Sequence, residues 1–228
     1  MTLPQIVSRE EWRAAREALQ AEEDELGRAR QALNARRRRL PMVEVGDGHV
    51  FDGGDGRATL LDLFEGRHQL IVHHFVFPPE WEAGCPRSAA FLDQIGPQAH
   101  LWARNTTFAV VSRAPLTRIL PFKARMGWSV PWYSSAGRSF DTDFEATVVR
   151  DGRTVDRPGL SCFLRERDRV FHTYSTFEDG MDGVGSLTSL LDLTALGRQE
   201  DWEEPRGRAD ARGAAARPAL RLHDEYDG

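Results

Sequence analysis

Cys85 is the residue around which chemistry could be built. An apolar run, Leu70 to Phe77, leads to Pro78 and a short loop. The cysteine follows, then Pro86 and a helix-like stretch. A strand that delivers a cysteine to the start of a helix favours the thiolate, because helix N-termini carry partial positive charge and unpaired N–H groups. Arg87 adds a cation that either supports the thiolate or is a surface charge. Glu82, three residues before the cysteine, would act the other way, since like-charge repulsion raises a thiol pKa. Ser88, next in the stretch, carries a hydroxyl, which can neither resolve a sulfenate nor close a disulfide.

The elements that must position these residues are legible. Ser8 and Glu11 form a capping box that opens a helix over 8–39. Trp12, Leu19, Leu26, Leu33 and Leu40 recur every seven residues along it, with Ala15 and Ala29 on the matching row and Glu22 and Arg36 breaking it. Such a helix, about 48 Å long, exceeds one small domain. The expectation is a homodimer contact through it. After Pro41, residues 42–45 and 49–51 read as a hairpin turning at Gly46-Asp47-Gly48. Gly53 to Gly56 is a second turn, and Thr59 caps a short helix to Phe64. Leu70 to Phe77 is apolar on both faces, as a central strand of a parallel sheet is. A helix follows over 86–102, kinked at Gly96-Pro97. Next come a strand over 107–111 and a helix over 116–126. Residues 128–135 are extended, and 140–149 are loop with a short strand. Strands over 160–165 and 170–175 form a hairpin, and a last helix spans 186–193. The organisation is an arm (1–40), a domain (41–196) and a tail (197–228), mobile at first, whose final residues dock back.

Composition narrows the function classes. Net charge is −5, so no basic field recruits nucleic acid. No run approaches the ~20 apolar residues of a membrane span, and the first 30 residues lack a signal core. Two cysteines without near spacing make no disulfide framework, which points to a reducing cytoplasm. Cys162, within a predicted strand, reads as a small core residue. Adjacent on a strand, His73 and His74 face opposite sides. Each reads as a satisfied core histidine, with a haem ligand as the alternative. Trp81, Trp132 and Tyr174 belong to an aromatic set that either lines a pocket or fills the core.

Several blocks together resemble one family. They are VSREEW (7–12), IVHHFVF with EWEAGCP (71–86), FAVVSRAPL (108–116), FKARMGW (122–128), PWYSSAG (131–137), PGLSCFLRE (158–166), VFHTYST (170–176), LLDLTALGR (190–198) and HDEY (223–226). The chain is identified by them as a member of the thioredoxin-like family called domain of unknown function 899, related to the peroxiredoxins. The resemblance implies an α/β thioredoxin-like fold with an N-terminal β-extension. Many members read C-P-S-C where this chain has Cys85-Pro86-Arg87-Ser88. Peroxiredoxins read P-x-x-x-T-x-x-C, and here Pro78 and Cys85 keep the spacing while Glu82 replaces the threonine. Pro158 matches the proline that thioredoxin folds hold against the active cysteine. Arg157 is near the place where peroxiredoxins put an arginine over the thiolate, and Arg113 is a second candidate. His172, 87 residues after Cys85, is similar in position to a histidine of the copper-binding Sco branch, and the resemblance implies a Cys85–His172 pair working as thiol and base, or as two ligands of a metal with water or Glu82 as a third; a partly buried histidine bonded to backbone is the plain alternative. The implied activity is a one-cysteine oxidoreductase that takes a small-molecule peroxide or disulfide and an external thiol reductant, with no cofactor required. A non-redox protein binding a small apolar molecule, haem or copper is the alternative.

Overall fold

The computed structural model describes residues 4–196, 198, 204 and 220–226. The chain divides into two compact units. The first contains α1 (Arg9–Arg37), whose predicted cap is present: Ser8 Oγ accepts from the Glu11 N–H, and Glu11 takes the Ser8 N–H at 2.9 Å. No α1 side chain is buried, and Trp12, Leu19, Leu26 and Leu33 are each at least half exposed.

The second unit is built on an eight-stranded sheet. Its strands are β1 (Val43–Val45), β2 (Val50–Gly53), β3 (Gly56–Thr59), β4 (Gln69–His74), β5 (Thr106–Ser112), β6 (Trp132–Ser134), β9 (Gly159–Glu166) and β10 (Arg169–Phe177), in the order β1-β10-β9-β4-β5-β6-β2-β3. β4 is central, as its two-faced apolar run requires. It pairs parallel with β5 and antiparallel with β9. β7 (Thr147–Arg150) and β8 (Arg153–Asp156) form a separate ribbon. The set β10-β9-β4-β5 is the thioredoxin-like arrangement that the sequence implied.

Helices cover one face. The predicted helix over 86–102 is two, α2 (Pro86–Leu92) and α3 (Ala99–Trp102), because Pro97 cannot continue the ladder. α4 (Leu116–Arg125) carries Pro121 inside it. Phe75, Phe77, Leu92, Ile119, Phe122 and Trp132 fill this side. On the opposite face Phe51, Phe64, Leu70, Val72, Phe163 and Phe140 of α5 (Phe140–Asp143) form a second core. A last helix, α6 (Ser186–Leu191), follows.

The expected hairpin of 42–45 with 49–51 is not formed. β1 pairs with β10 at one edge, while β2 pairs with β3 across the Gly53–Gly56 turn near the other. The Gly46-Asp47-Gly48 segment is therefore a crossing and not a hairpin turn. The short helix expected after Thr59 is a single 3-10 turn, Asp62–Phe64, whose cap residue is Leu61 without a side-chain bond; Thr59, the last residue of β3, accepts the Asp62 N–H at 3.3 Å just before it. Of the tail, most of 197–218 lies outside the described residues. Its end does dock: Leu222 is buried, His223 Nδ1 meets Asp93 at 2.8 Å, and Asp224 accepts two bonds from Arg125.

Candidate functional site

The two backbone groups of Val76 hold the start of α2, one at Cys85 and one at Ser88. The Cys85 N–H donates to the Val76 carbonyl at 2.9 Å, and Ser88 Oγ accepts the Val76 N–H at 3.1 Å. The first turn of α2 is thereby stapled to the chain leaving β4. Ser88 is fully buried, so it is a structural acceptor here and not a spare position facing the thiol. Gly84 makes the approach sterically feasible, since a Cβ there would lie 2.3 Å from the Phe75 ring. Cys85 caps α2 with extended backbone and is a free, half-buried thiol; Pro86 opens the helix.

The charges expected beside it are engaged elsewhere. Arg87 pairs with Asp179 at 3.0 Å and Asp182 at 3.6 Å. Glu82 is turned outward to Arg118 at 2.8 Å, its side chain 88% exposed. Arg157 donates to Glu178 at 3.1 Å and lies over the Phe177 ring at 4.5 Å. Pro78 closes the turn to Trp81 through its carbonyl, and Pro158 accepts the Glu178 N–H.

The structure does not bring His172 to Cys85. Register sets Gly159 opposite His74, the last residue of β4, but sets Phe163 opposite Leu70 and His172 opposite Phe163. That is four residues down the strand from the Cys85 end, about 13 Å. His172 also packs on Phe144 and Phe163, on the face away from α2. The pairing of Cys85 and His172, as base or as metal site, is corrected on these grounds. Among the described residues no three His, Cys, Asp or Glu side chains are grouped to hold a metal ion. The aromatic trio disperses as well. Trp132 is core and donates to Ser112 Oγ, Tyr174 lies within β10, and Trp81 is on the exposed loop. Cys162 is half-buried within β9.

His73 and His74 do face opposite sides. His73 lies among Phe75, Phe91 and Phe108, fully buried, and neither ring nitrogen has a partner, so it is not the satisfied core histidine expected. His74 stacks on Phe140, and its Nε2 bonds Ser161 Oγ at 2.7 Å. Burial lowers both pKa values to about 3.

From His74 a chain of polar contacts crosses the sheet. Ser161 Oγ meets Ser175 Oγ at 2.7 Å, and Ser175 Oγ meets His172 Nε2 at 2.7 Å. His74 is also among the residues that line a half-enclosed cavity of about 10 Å³, with Arg113, Asp141, Thr147, Asp156 and Arg157. His74 is the last residue of β4 and Arg113 the first after β5, so the cavity lies at the C-terminal ends of these strands, where open α/β sheets bind ligands. Asp156 Oδ1 accepts from Arg113 at 2.9 Å and from Thr147 at 2.6 Å. Asp141, 5% exposed, accepts from Ser135, and burial raises its pKa to about 6. Apart from Arg113, Arg157 and His74, sequence reasoning missed this cluster. Asp141 and the Ser134-Ser135 pair stood in plain view but carry no spacing that marks them. The Asp151-Gly152 turn, with positive φ at both residues, was the available sign of the β7–β8 ribbon.

The chain belongs to the family described as bacterial protein of unknown function (DUF899), whose model matches residues 1–226. No curated protein matches it. Among solved structures it is similar to a peroxiredoxin Q variant of Xylella fastidiosa, at 13% identity over 64% of this chain and 92% of that one, with a TM-score of 0.48. It is also similar to the Xanthomonas campestris bacterioferritin comigratory protein, studied for alkyl peroxide reduction, at 14% over 56% and 79%, TM-score 0.44. The peroxidoxin BcpB of Mycobacterium tuberculosis matches at 14% over 59% and 86%, TM-score 0.42. These are likenesses of fold alone, a mixed α/β, peroxiredoxin-like sheet, to which this chain adds the long helix α1. No helix of the described residues is long and apolar enough to cross a membrane.

Proposed function

We propose that this protein is a thiol oxidoreductase of a reducing cytoplasm that uses Cys85 as its single attacking thiol on a small peroxide or disulfide. The observation that carries the reading is the stapling of α2 to Val76, which fixes a free, half-buried cysteine at a helix start. The thiolate attacks one peroxide oxygen, the O–O bond breaks, and the alcohol leaves with a proton while Cys85 becomes a sulfenic acid. An external low-molecular-weight thiol condenses with the sulfenic acid, releasing water. A second such thiol displaces Cys85 from the mixed disulfide. External thiols are needed because Ser88 is no resolving residue. Pro158 and Arg157 stand at the same end of the sheet as Cys85, and the reading gives them the shaping of the site.

Intact-mass kinetics with Cys162→Ala test it. Cys85 should gain one oxygen from hydrogen peroxide faster than free cysteine does, then form a mixed disulfide with added glutathione. Peroxide consumption that survives Cys85→Ser, or a Cys85 no faster than free cysteine, would remove the reading. A second reading, a non-redox binding protein, is favoured by the cavity beside His74, which Cys85 does not line.

A further inference from the structure

We infer that the notch between the C-terminal ends of α2 and α4 is a peptide-docking site, and that the segment Leu222–Glu225 of this chain is its detachable ligand. The thiol reading is not needed for this. The first ground is the kind of contact the segment makes. It adds no strand to the sheet, and its hydrogen bonds to the domain come from side chains. Its own backbone closes on itself, the Glu225 N–H donating to the Leu222 carbonyl. Of residues 220–226 only Leu222 is buried, and it joins the apolar cluster that holds Leu92 of α2 and Ile119 and Phe122 of α4. One apolar anchor with polar side chains on either side is how a groove reads a short peptide.

The second ground is charge. His223 Nδ1 meets Oδ1 of Asp93, the residue that ends α2, at 2.8 Å. Arg125, the last residue of α4, donates through Nε and Nη2 to both oxygens of Asp224, and through Nη2 to Glu225. Such a fork selects a carboxylate by geometry as well as by sign. The notch therefore asks for an apolar residue, a histidine and an acidic pair, in that order. The Arg125 pairs are open to solvent, so each holds weakly by itself. The segment can leave without opening a strand or a helix, which is what makes it detachable.

The third ground is what the docked segment holds. Asp93 Oδ1 also accepts the Trp128 Nε1–H at 2.8 Å, and the Trp128 ring packs on Phe75 and Phe122. The segment thus completes a knot at one end of α2. That helix has seven residues, about 10 Å, and Cys85 caps its other end. Gln94 is tied separately to Ser186 and Leu187, so undocking loosens α2 without releasing it.

The test uses the full chain with Leu222→Asp, which empties the notch, and a fluorescein-labelled peptide of residues 219–228 followed by anisotropy. The peptide should bind the variant saturably and the wild type far more weakly, because the wild type's own segment fills the site. Adding Arg125→Asp to the variant should abolish binding. By mass spectrometry, amide exchange over residues 87–94 should be faster in Leu222→Asp than in the wild type and slow again when the peptide is added. Should Leu222→Asp fail to fold, Asp224→Arg, a surface change, opens the notch for the same measurements. A peptide that binds neither variant overturns the inference, as does one that binds wild type and variant equally or ignores Arg125→Asp. Unchanged exchange in α2 overturns it too.

Discussion

His73 offers the sharpest test of the fold's energetics. Its ring is fully buried among three phenylalanines and bonds nothing. With a folded pKa of about 3 against 6.5 unfolded, it stays neutral in the native state while the unfolded chain takes up a proton. Stability is therefore complete above the unfolded value and is lost as pH falls from about 6.5 toward 3. Between pH 7 and pH 5 the loss is about 2 kcal/mol for His73 and about the same for His74. Asp141 works in the opposite sense. Its pKa is raised from 3.8 to about 6, so protonation in the native state returns about 1 kcal/mol over the same interval. The net expectation is a loss of about 3 kcal/mol.

His73→Leu should change two things at once. At pH 7 it removes two unpaired polar atoms from an apolar site at similar volume, so stability should rise by about 1–3 kcal/mol. From pH 7 to pH 5 the loss should shrink to about 1 kcal/mol, because only His74 and Asp141 remain of the three. Urea unfolding followed by tryptophan fluorescence measures both, with Trp132 in the core of the same face as a reporter. Other groups that titrate in this interval, His49 and His172 among them, are common to both proteins and cancel in the difference. An unchanged pH slope would refute the reasoning outright. So would a variant less stable at pH 7, which would mean that the ring nitrogens have partners in solution.

Three further outcomes are expected. Ser88→Ala strands the buried Val76 N–H, which should cost about 1–3 kcal/mol and slow Cys85 alkylation or make it less selective, as intact mass would show. Gly84→Ala drives a Cβ into Phe75 and should cost about 1–3 kcal/mol, whereas Gly96→Ala, where nothing lies within 4 Å, should be nearly neutral in the same melts; equal effects would contradict the packing. The exposed row Trp12, Leu19, Leu26, Leu33 on α1 is expected to pair two chains, so light scattering should give twice the mass of one chain for the wild type and one for Leu26→Glu, and a monomeric wild type would end that expectation.

The order of elements was legible because each rests on short-range rules. The Ser8 and Glu11 cap, the two-faced run before Pro78 and the break at Pro97 are each decided within a few residues. What failed depended on partners far along the chain. Gly46-Asp47-Gly48 and Gly53–Gly56 look alike as turns, and only the β10 edge, more than a hundred residues away, decides that the first is a crossing. The pairing of Cys85 with His172 failed similarly. Nothing local says that Phe163, and not Gly159, sits across from His172, nor that the ring faces away from α2. Ser88 shows a subtler limit. Read as a lost cysteine, it implied an absence, whereas in the fold it closes the Val76 N–H and fixes the thiol in place. The cavity was least legible of all, since its polar groups come from five separate segments brought together by the sheet and by the β7–β8 ribbon. Its existence alters the weight given to the histidine pair. One member, His73, is an unpaid cost of burial with an apolar remedy. The other has its ring fixed by Ser161 through Nε2, and the difference between them is a single residue of strand alternation. A test that treats His73 and His74 alike would miss this, so the leucine substitution belongs to the first, whose two ring nitrogens bond nothing, and not to the second, which holds Ser161.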